Sequence, residues 1–153
     1  MNAAAVELLA SREDTWSFLA EPYHLADWWP GIVGVEPDRR GFAEGARWTV
    51  RVVDSPSPFG LFRVPRMGRP SGRAAEQTLV ITGIDMFELW AWDLVTRTRR
   101  RGTRTLSTEV RLSYVDRSRT KVTVSVSGWG ATPGLAGSAV KRLYDLVQTA
   151  ATL

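Results

Sequence analysis

Cysteine is absent from this chain, and histidine occurs once among its 153 residues. Without cysteine, disulfides, thiolate nucleophiles and Cys-based zinc sites are excluded. The single histidine, His24, also excludes a His-rich metal site. We therefore expect neither a bound metal ion nor a cofactor.

Long apolar runs are also lacking, since none approaches the roughly 18 residues that a membrane-spanning helix needs. The first residues, MNAAAVELLASRED, contain no basic segment of the kind that begins a signal peptide. We expect a cytoplasmic protein with no integral membrane segment. The length predicts one domain over residues 1–153, long enough to bury a real core.

The net charge is +4, and eighteen of the twenty basic residues are arginine rather than lysine. Arginines cluster at 63–73 and at 97–104, where they could contact phosphates or an acidic ligand, or simply be solvated loop and hairpin tips. No exposed aromatic residues alternate with them, and no nucleic-acid-binding motif accompanies them. We expect no nucleic-acid partner.

The segment 16–31, WSFLAEPYHLADWWPG, predicts two short helices. Ser11 is a good N-cap for the first helix, and Pro22 can begin the second at its first position. Pro30 followed by glycine ends the second helix. The sequence therefore places a helix pair directly after its first strand.

From residue 32 the apolar period changes to two, which is typical of strands. Residues 54–75 are rich in proline, glycine and arginine and predict a long loop of the kind that often covers a ligand. A final helix is predicted from Pro133 onwards. The predicted strands are 6–10, 32–36, 47–53, 77–84, 86–97, 106–116 and 121–129.

Three segments resemble the START-like, SRPBCC superfamily: SREDTW at 11–16, ADWWP at 26–30 and GARW at 45–48. The likeness covers essentially the whole chain, and the superfamily includes polyketide cyclase/dehydrase-like and Aha1-type proteins. It implies an α+β helix-grip fold, in which a curved antiparallel sheet of about six to seven strands wraps around a long C-terminal helix. A cavity between sheet and helix would bind a hydrophobic, lipid-like or amphipathic molecule, and many members of the superfamily are not enzymes.

Seven tryptophans are a large number for this length, and flat side chains suit the walls of a pocket for a ring-shaped or lipid-like ligand. They could equally fill a core, which is the favoured interpretation for Trp48. Both faces of the strand over 86–94 are apolar, so its cavity-lining face stays open. The candidate ligand-binding residues are Trp28, Trp29, Trp48, Phe62, Trp90, Trp92, Trp129, Val140 and Tyr144.

Three residues are weak candidates for catalysis. Glu88 shares a strand face with Trp90 and Trp92, and burial there would raise its pKa and allow it to protonate a carbonyl substrate. A histidine beside a cavity, such as His24, would suit general acid–base chemistry, and an inward Arg51 could bind an oxyanion bidentately. Each could also be an ordinary surface residue.

The function that the sequence favours is non-catalytic binding of a hydrophobic or aromatic small molecule in an internal cavity. A cyclase- or dehydratase-like enzyme and an Aha1-type protein-interaction module are the alternatives. The sequence leaves open the identity of the ligand and the oligomeric state.

Overall fold

The computed structural model describes residues 2–53, 75–98 and 102–151. Seven antiparallel strands form one curved sheet in the order β1-β7-β6-β5-β4-β3-β2. The elements are β1 (Asn2–Leu8), α1 (Arg12–Ala20), a 3₁₀ helix (Pro22–His24), α2 (Leu25–Trp28), β2 (Ile32–Glu36), β3 (Arg47–Val52), β4 (Ala75–Asp85), β5 (Leu89–Thr98), β6 (Gly102–Asp116), β7 (Arg119–Gly128) and α3 (Leu135–Ala151). The predicted helix-grip fold is confirmed.

The two helices after β1 begin and end as their sequence predicts, with one difference. Ser11 caps α1, because its hydroxyl oxygen accepts a hydrogen bond from the backbone N–H of Asp14 at 3.0 Å. The predicted second helix is divided into the 3₁₀ helix, which Pro22 begins, and one turn of α2. Trp28 is the last residue of α2 and Trp29 follows it, and both side chains are buried in the core.

Strand periodicity explains which side chains enter the core. In β7, Val122, Val124 and Val126 are buried, as their alternation predicts. In β5, the buried side chains are Trp90, Trp92 and Leu94. The structure thus settles which face of β5 is turned to the concave side of the sheet.

Helix α3 packs against β1, β7 and α2, and so covers only one half of the concave face. Its buried stripe has the predicted helical spacing. The other half, over β3, β4 and β5, is covered by α2 and by aromatic side chains. The buried side chains of α3 are Ala136, Ala139, Val140, Leu143 and Val147.

Two sequence predictions fall where the structure gives no description. Phe62 lies outside the described residues, as does the predicted loop 54–75 apart from Ala75, which begins β4. Within 2–53, 75–98 and 102–151, no helix is long and apolar enough to cross a bilayer.

Candidate functional site

Five tryptophan rings form a continuous cluster between α2 and the sheet. They belong to Trp28 and Trp29, at the end of α2, and to Trp48, Trp90 and Trp92, on β3 and β5. The ring centroids of Trp29 and Trp92 are 5.2 Å apart, those of Trp28 and Trp29 are 5.5 Å apart, and those of Trp48 and Trp90 are 5.9 Å apart. Most of these pairs meet edge-on or tilted, the arrangement that aromatic quadrupoles favour. All five side chains are buried, so they fill the space in which the sequence predicted an internal cavity.

An open cleft remains where the aromatic cluster ends. It lies between the end of α2, the start of α3 and those ends of β2 to β6 that adjoin the aromatic cluster. Its volume is about 310 Å³. We call it the sheet-end cleft. Its walls are mostly apolar, and none of its described lining residues is ionisable. It is lined by Trp29, Pro30, Gly31, Ile32, Val52, Val53, Gln77, Leu94, Thr96, Leu106, Trp129, Gly130, Thr132 and Leu135.

Trp129 forms the lip of this cleft, and 48% of its surface is exposed. Its backbone N–H donates to the carbonyl of Thr105 at 3.0 Å, which fixes the residue to β6 after β7 has ended. The guanidinium carbon of Arg104 lies 5.2 Å from the centroid of the Trp129 ring, within cation–π range. Trp129 is thus held in place although half of it is in contact with solvent.

Gln77 is the most unusual residue of the cleft wall. It pairs with the buried Val50 across β3 and β4 and therefore faces the concave side. Its side-chain oxygen Oε1 is buried and has no hydrogen-bond partner among the described residues. A buried amide oxygen without a hydrogen-bond donor carries an uncompensated desolvation cost.

The predicted ligand-binding residues are distributed between cleft and core. Trp29 and Trp129 line the sheet-end cleft, whereas Trp28, Trp48, Trp90 and Trp92 lie in the core and do not line it. Neither Trp28 nor Trp29 is exposed at the entrance of the cleft, because both side chains are buried. On α3, the buried Val140 and the half-buried Tyr144 pack in or against the core, and among the described side chains of this helix the cleft is lined by Leu135.

The prediction of Glu88 as a buried acid is wrong. Its side chain is 58% exposed and lies 4.0 Å from the guanidinium of Arg12. The cause is a turn over Asp85–Glu88, in which Phe87 adopts a left-handed backbone with φ of +68°. Because β5 begins only at Leu89, Glu88 does not continue the buried face of Trp90 and Trp92.

His24 and Arg51 also lie away from the cleft. The His24 ring stacks on Phe18 at 4.1 Å, and its Nδ1 is 2.7 Å from the Phe18 carbonyl oxygen. Arg51 lies on the outer face of β3, in a groove of about 540 Å³ that Glu36 and Glu76 also line. The structure therefore does not bring Glu88, His24 and Arg51 together at the sheet-end cleft.

Of the fourteen described residues that line the cleft, the sequence analysis named Trp29 and Trp129 and missed twelve, five of which could have been found. These five carry one usable signal, because four of them continue the buried parity of their strands to the strand end, and the fifth begins the buried stripe of α3. The five are Gln77, Leu94, Thr96, Leu106 and Leu135. In the described part of the chain, no group of three or more acidic or histidine side chains could hold a metal ion.

No family model matches the sequence, and no curated protein matches it. Solved structures do match. A START superfamily protein from Mycobacterium smegmatis has 16% identity and a TM-score of 0.60 over 97% of both chains. A conserved protein from Geobacillus kaustophilus has 14% identity and a TM-score of 0.65 over 97% of this chain and 95% of its own.

A third match is the di-domain ARO/CYC StfQ from the steffimycin biosynthetic pathway. It has 12% identity and a TM-score of 0.62, and the match covers 98% of this chain but 44% of StfQ. At such identities these similarities establish the fold. The chain has the START-like, SRPBCC-type helix-grip fold, which it shares with the matched part of the di-domain ARO/CYC StfQ.

Proposed function

We propose that the protein binds a small apolar or aromatic molecule in the sheet-end cleft and does not transform it. One observation carries the proposal: apolar side chains wall a concave cleft of about 310 Å³ at whose lip an indole ring is half exposed. This volume lies at the lower end of the roughly 300–1,000 Å³ of small-molecule sites. A ligand of one or two rings, or a short acyl chain, would suit it.

The free energy for such binding would come mainly from apolar surface. Covering about 100 Å² of the Trp129 lip and the neighbouring wall would contribute about 2.5 kcal/mol, at about 25 cal/mol per Å². The hydrogen bond to Thr105 fixes the backbone of Trp129 and the Arg104 guanidinium lies against its ring, so little conformational entropy would be lost there on binding.

The composition of the cleft also supports binding rather than catalysis. General acid–base chemistry needs a titratable group within hydrogen-bond reach of the reacting atoms. None of the described residues of the cleft wall is an aspartate, glutamate, histidine, lysine or arginine. The polar groups of the wall, on Gln77, Thr96 and Thr132, are suited to orienting a ligand.

The test uses N-phenyl-1-naphthylamine, a neutral apolar probe whose fluorescence rises when it leaves water. We expect saturable binding to the wild type and binding weakened about tenfold in Leu135→Gln, which puts a polar group of similar size into the wall. The matched control is Leu9→Gln, because Leu9 is exposed and does not line the cleft. Equal affinities for all three proteins, or no binding to the wild type, would refute the proposal.

A further inference from the structure

The concave side of the sheet becomes polar towards the open end of the cleft. Leu79, Leu94 and Leu106 are paired across β4, β5 and β6 and form a buried apolar row. Along β5, the next residue on the same face is Thr96, which is half-buried. A molecule in the cleft would therefore have its inner part against leucines.

The next cross-strand row consists of polar residues. Thr96 pairs with Arg104 across β5 and β6. Because Thr78 pairs with Val95, Gln77 comes opposite Thr96 on its other side. Side chains paired in this way have their Cβ atoms about 5 Å apart, so Gln77, Thr96 and Arg104 form one polar row across three strands.

Two members of this row have unused hydrogen-bonding capacity. The amide nitrogen of Gln77, which is a donor, takes part in no hydrogen bond among the described residues. Arg104 takes part in none of the ion pairs among residues 2–53, 75–98 and 102–151, although it lies over Trp129. The row thus offers one positive charge and one amide beside an apolar cleft.

We propose that the natural ligand is an amphipathic monocarboxylate, which places its apolar body on the leucine row and its carboxylate on the row Gln77–Thr96–Arg104. This inference rests on the proposed function, because it assigns the chemical class of the molecule in the same cleft. The guanidinium of Arg104 donates in a fork that matches a carboxylate, while the Gln77 amide and the Thr96 hydroxyl each supply a donor. With one cation in the row, a single negative charge is the matching head group.

Trp129 has a second part in this arrangement. Its ring lies under the Arg104 guanidinium, which limits the rotamers of a long side chain that would otherwise be mobile. The same ring forms the lip that the apolar body crosses. An anionic molecule would therefore contact the ring and the charge together.

The test compares two ligands of nearly the same shape, 1-naphthylacetate and its uncharged analogue 1-naphthylacetamide, by isothermal titration calorimetry at low salt. We expect the wild type to bind the carboxylate at least fivefold more tightly. Arg104→Gln should remove this preference, so that the ratio of the two affinities falls to about one. The control is Arg97→Gln, since Arg97 lies on the same pair of strands but is exposed on the outer face.

A second variant, Gln77→Leu, tests the inner end of the row. We expect it to weaken both naphthyl ligands at least threefold while N-phenyl-1-naphthylamine binds unchanged or better. Should the neutral probe bind while the wild type shows no preference for the carboxylate, the inference fails and the proposed function stands. A preference that survives Arg104→Gln also overturns the inference, and failure of all three molecules to bind overturns both.

Discussion

The indole rings of Trp90 and Trp92 lie with their centroids 4.3 Å apart on the buried face of β5. Alternate residues of a strand share a face, so the two rings stand side by side under α2. Trp92 also contacts Trp28 and Trp29, with centroids 6.3 Å and 5.2 Å away. Trp92 therefore joins the sheet to the helix pair.

Replacing Trp92 with alanine should lower the free energy of unfolding by about 3–5 kcal/mol, because the change removes a fully buried indole and leaves a cavity. Urea unfolding followed by far-UV circular dichroism measures this loss. Trp129→Ala is the control, with an expected loss of less than about 1 kcal/mol, because Trp129 is half exposed. Similar losses for both variants would contradict a core role for the cluster.

Gly128 should not tolerate a side chain. Its φ is +98°, and a Cβ there would run into the carbonyl oxygen of Thr105. We expect Gly128→Ala to destabilise the protein by about 2–5 kcal/mol, combining left-handed backbone strain with overpacking. Gly130→Ala is the control that shows backbone strain alone. Gly130 also has a positive φ, but a Cβ there meets no atom within 4 Å, so no overpacking is added. The control should lose about 1–2 kcal/mol in the same urea experiment.

Asp38 should contribute to the pH dependence of stability in acid. Its carboxylate accepts hydrogen bonds from the backbone N–H groups of Arg47, at 2.9 Å, and Arg40, at 3.0 Å. The hydrogen bond from Arg47 above all lowers the pKa of Asp38 from its ordinary 3.8. Because the folded-state pKa is the lower one, the stabilisation is complete above about pH 3.8 and is lost as the pH falls through the folded-state value.

We therefore expect Asp38→Asn to be less stable than the wild type at pH 6, with the difference shrinking at pH 3. Urea midpoints at the two pH values measure it. Asp27→Asn is the control, because Asp27 is exposed and forms no hydrogen bond with the described residues. A difference for Asp38→Asn that is constant between pH 6 and pH 3 would contradict the assignment.

Asn2 should hold one wall of the sheet-end cleft. Its amide nitrogen lies 2.9 Å from each of the carbonyl oxygens of Ala131 and Thr132, in the segment between β7 and α3. Without this tie, we expect Asn2→Ala to weaken binding of N-phenyl-1-naphthylamine by about threefold and to speed amide hydrogen exchange at 130–135. Glu7→Ala on the same strand removes only a surface ion pair to Arg119 and should change neither measurement.

The sequence was sufficient to predict the order of helices and strands, because each element carries its own local signal, and the resemblance to the superfamily implied how they pack together. Val122, Val124 and Val126 alternate strictly with polar residues, and Ser11 and Pro22 fix the beginnings of two helices. Where both faces of a strand were apolar, as in β5, the local signal was ambiguous. That ambiguity was resolved only by packing, because the indoles of Trp90 and Trp92 fit beneath α2.

The candidate site was harder to predict because it depends on register between strands. Gln77, Thr96 and Arg104 are far apart along the chain and become neighbours only through the pairing of β4, β5 and β6. Glu88 was misplaced for a related reason, since strand periodicity does not reveal that the turn at Phe87 ends before β5 begins. In both cases the position of a side chain depends on how neighbouring strands pair or on where a turn ends. The apolar period within a single strand does not contain that information.

The pairing of β1 with β7 has a consequence for synthesis on the ribosome. The hydroxyl of Thr120 donates to the carbonyl of Ala10, which lies 110 residues earlier in the chain. At roughly 5–20 residues per second, β1 waits on the order of 5 to 20 s before its partner strand has been made. During that time its backbone donors and acceptors are open to other strands, so crowded polysomes should be the condition under which this chain aggregates most readily.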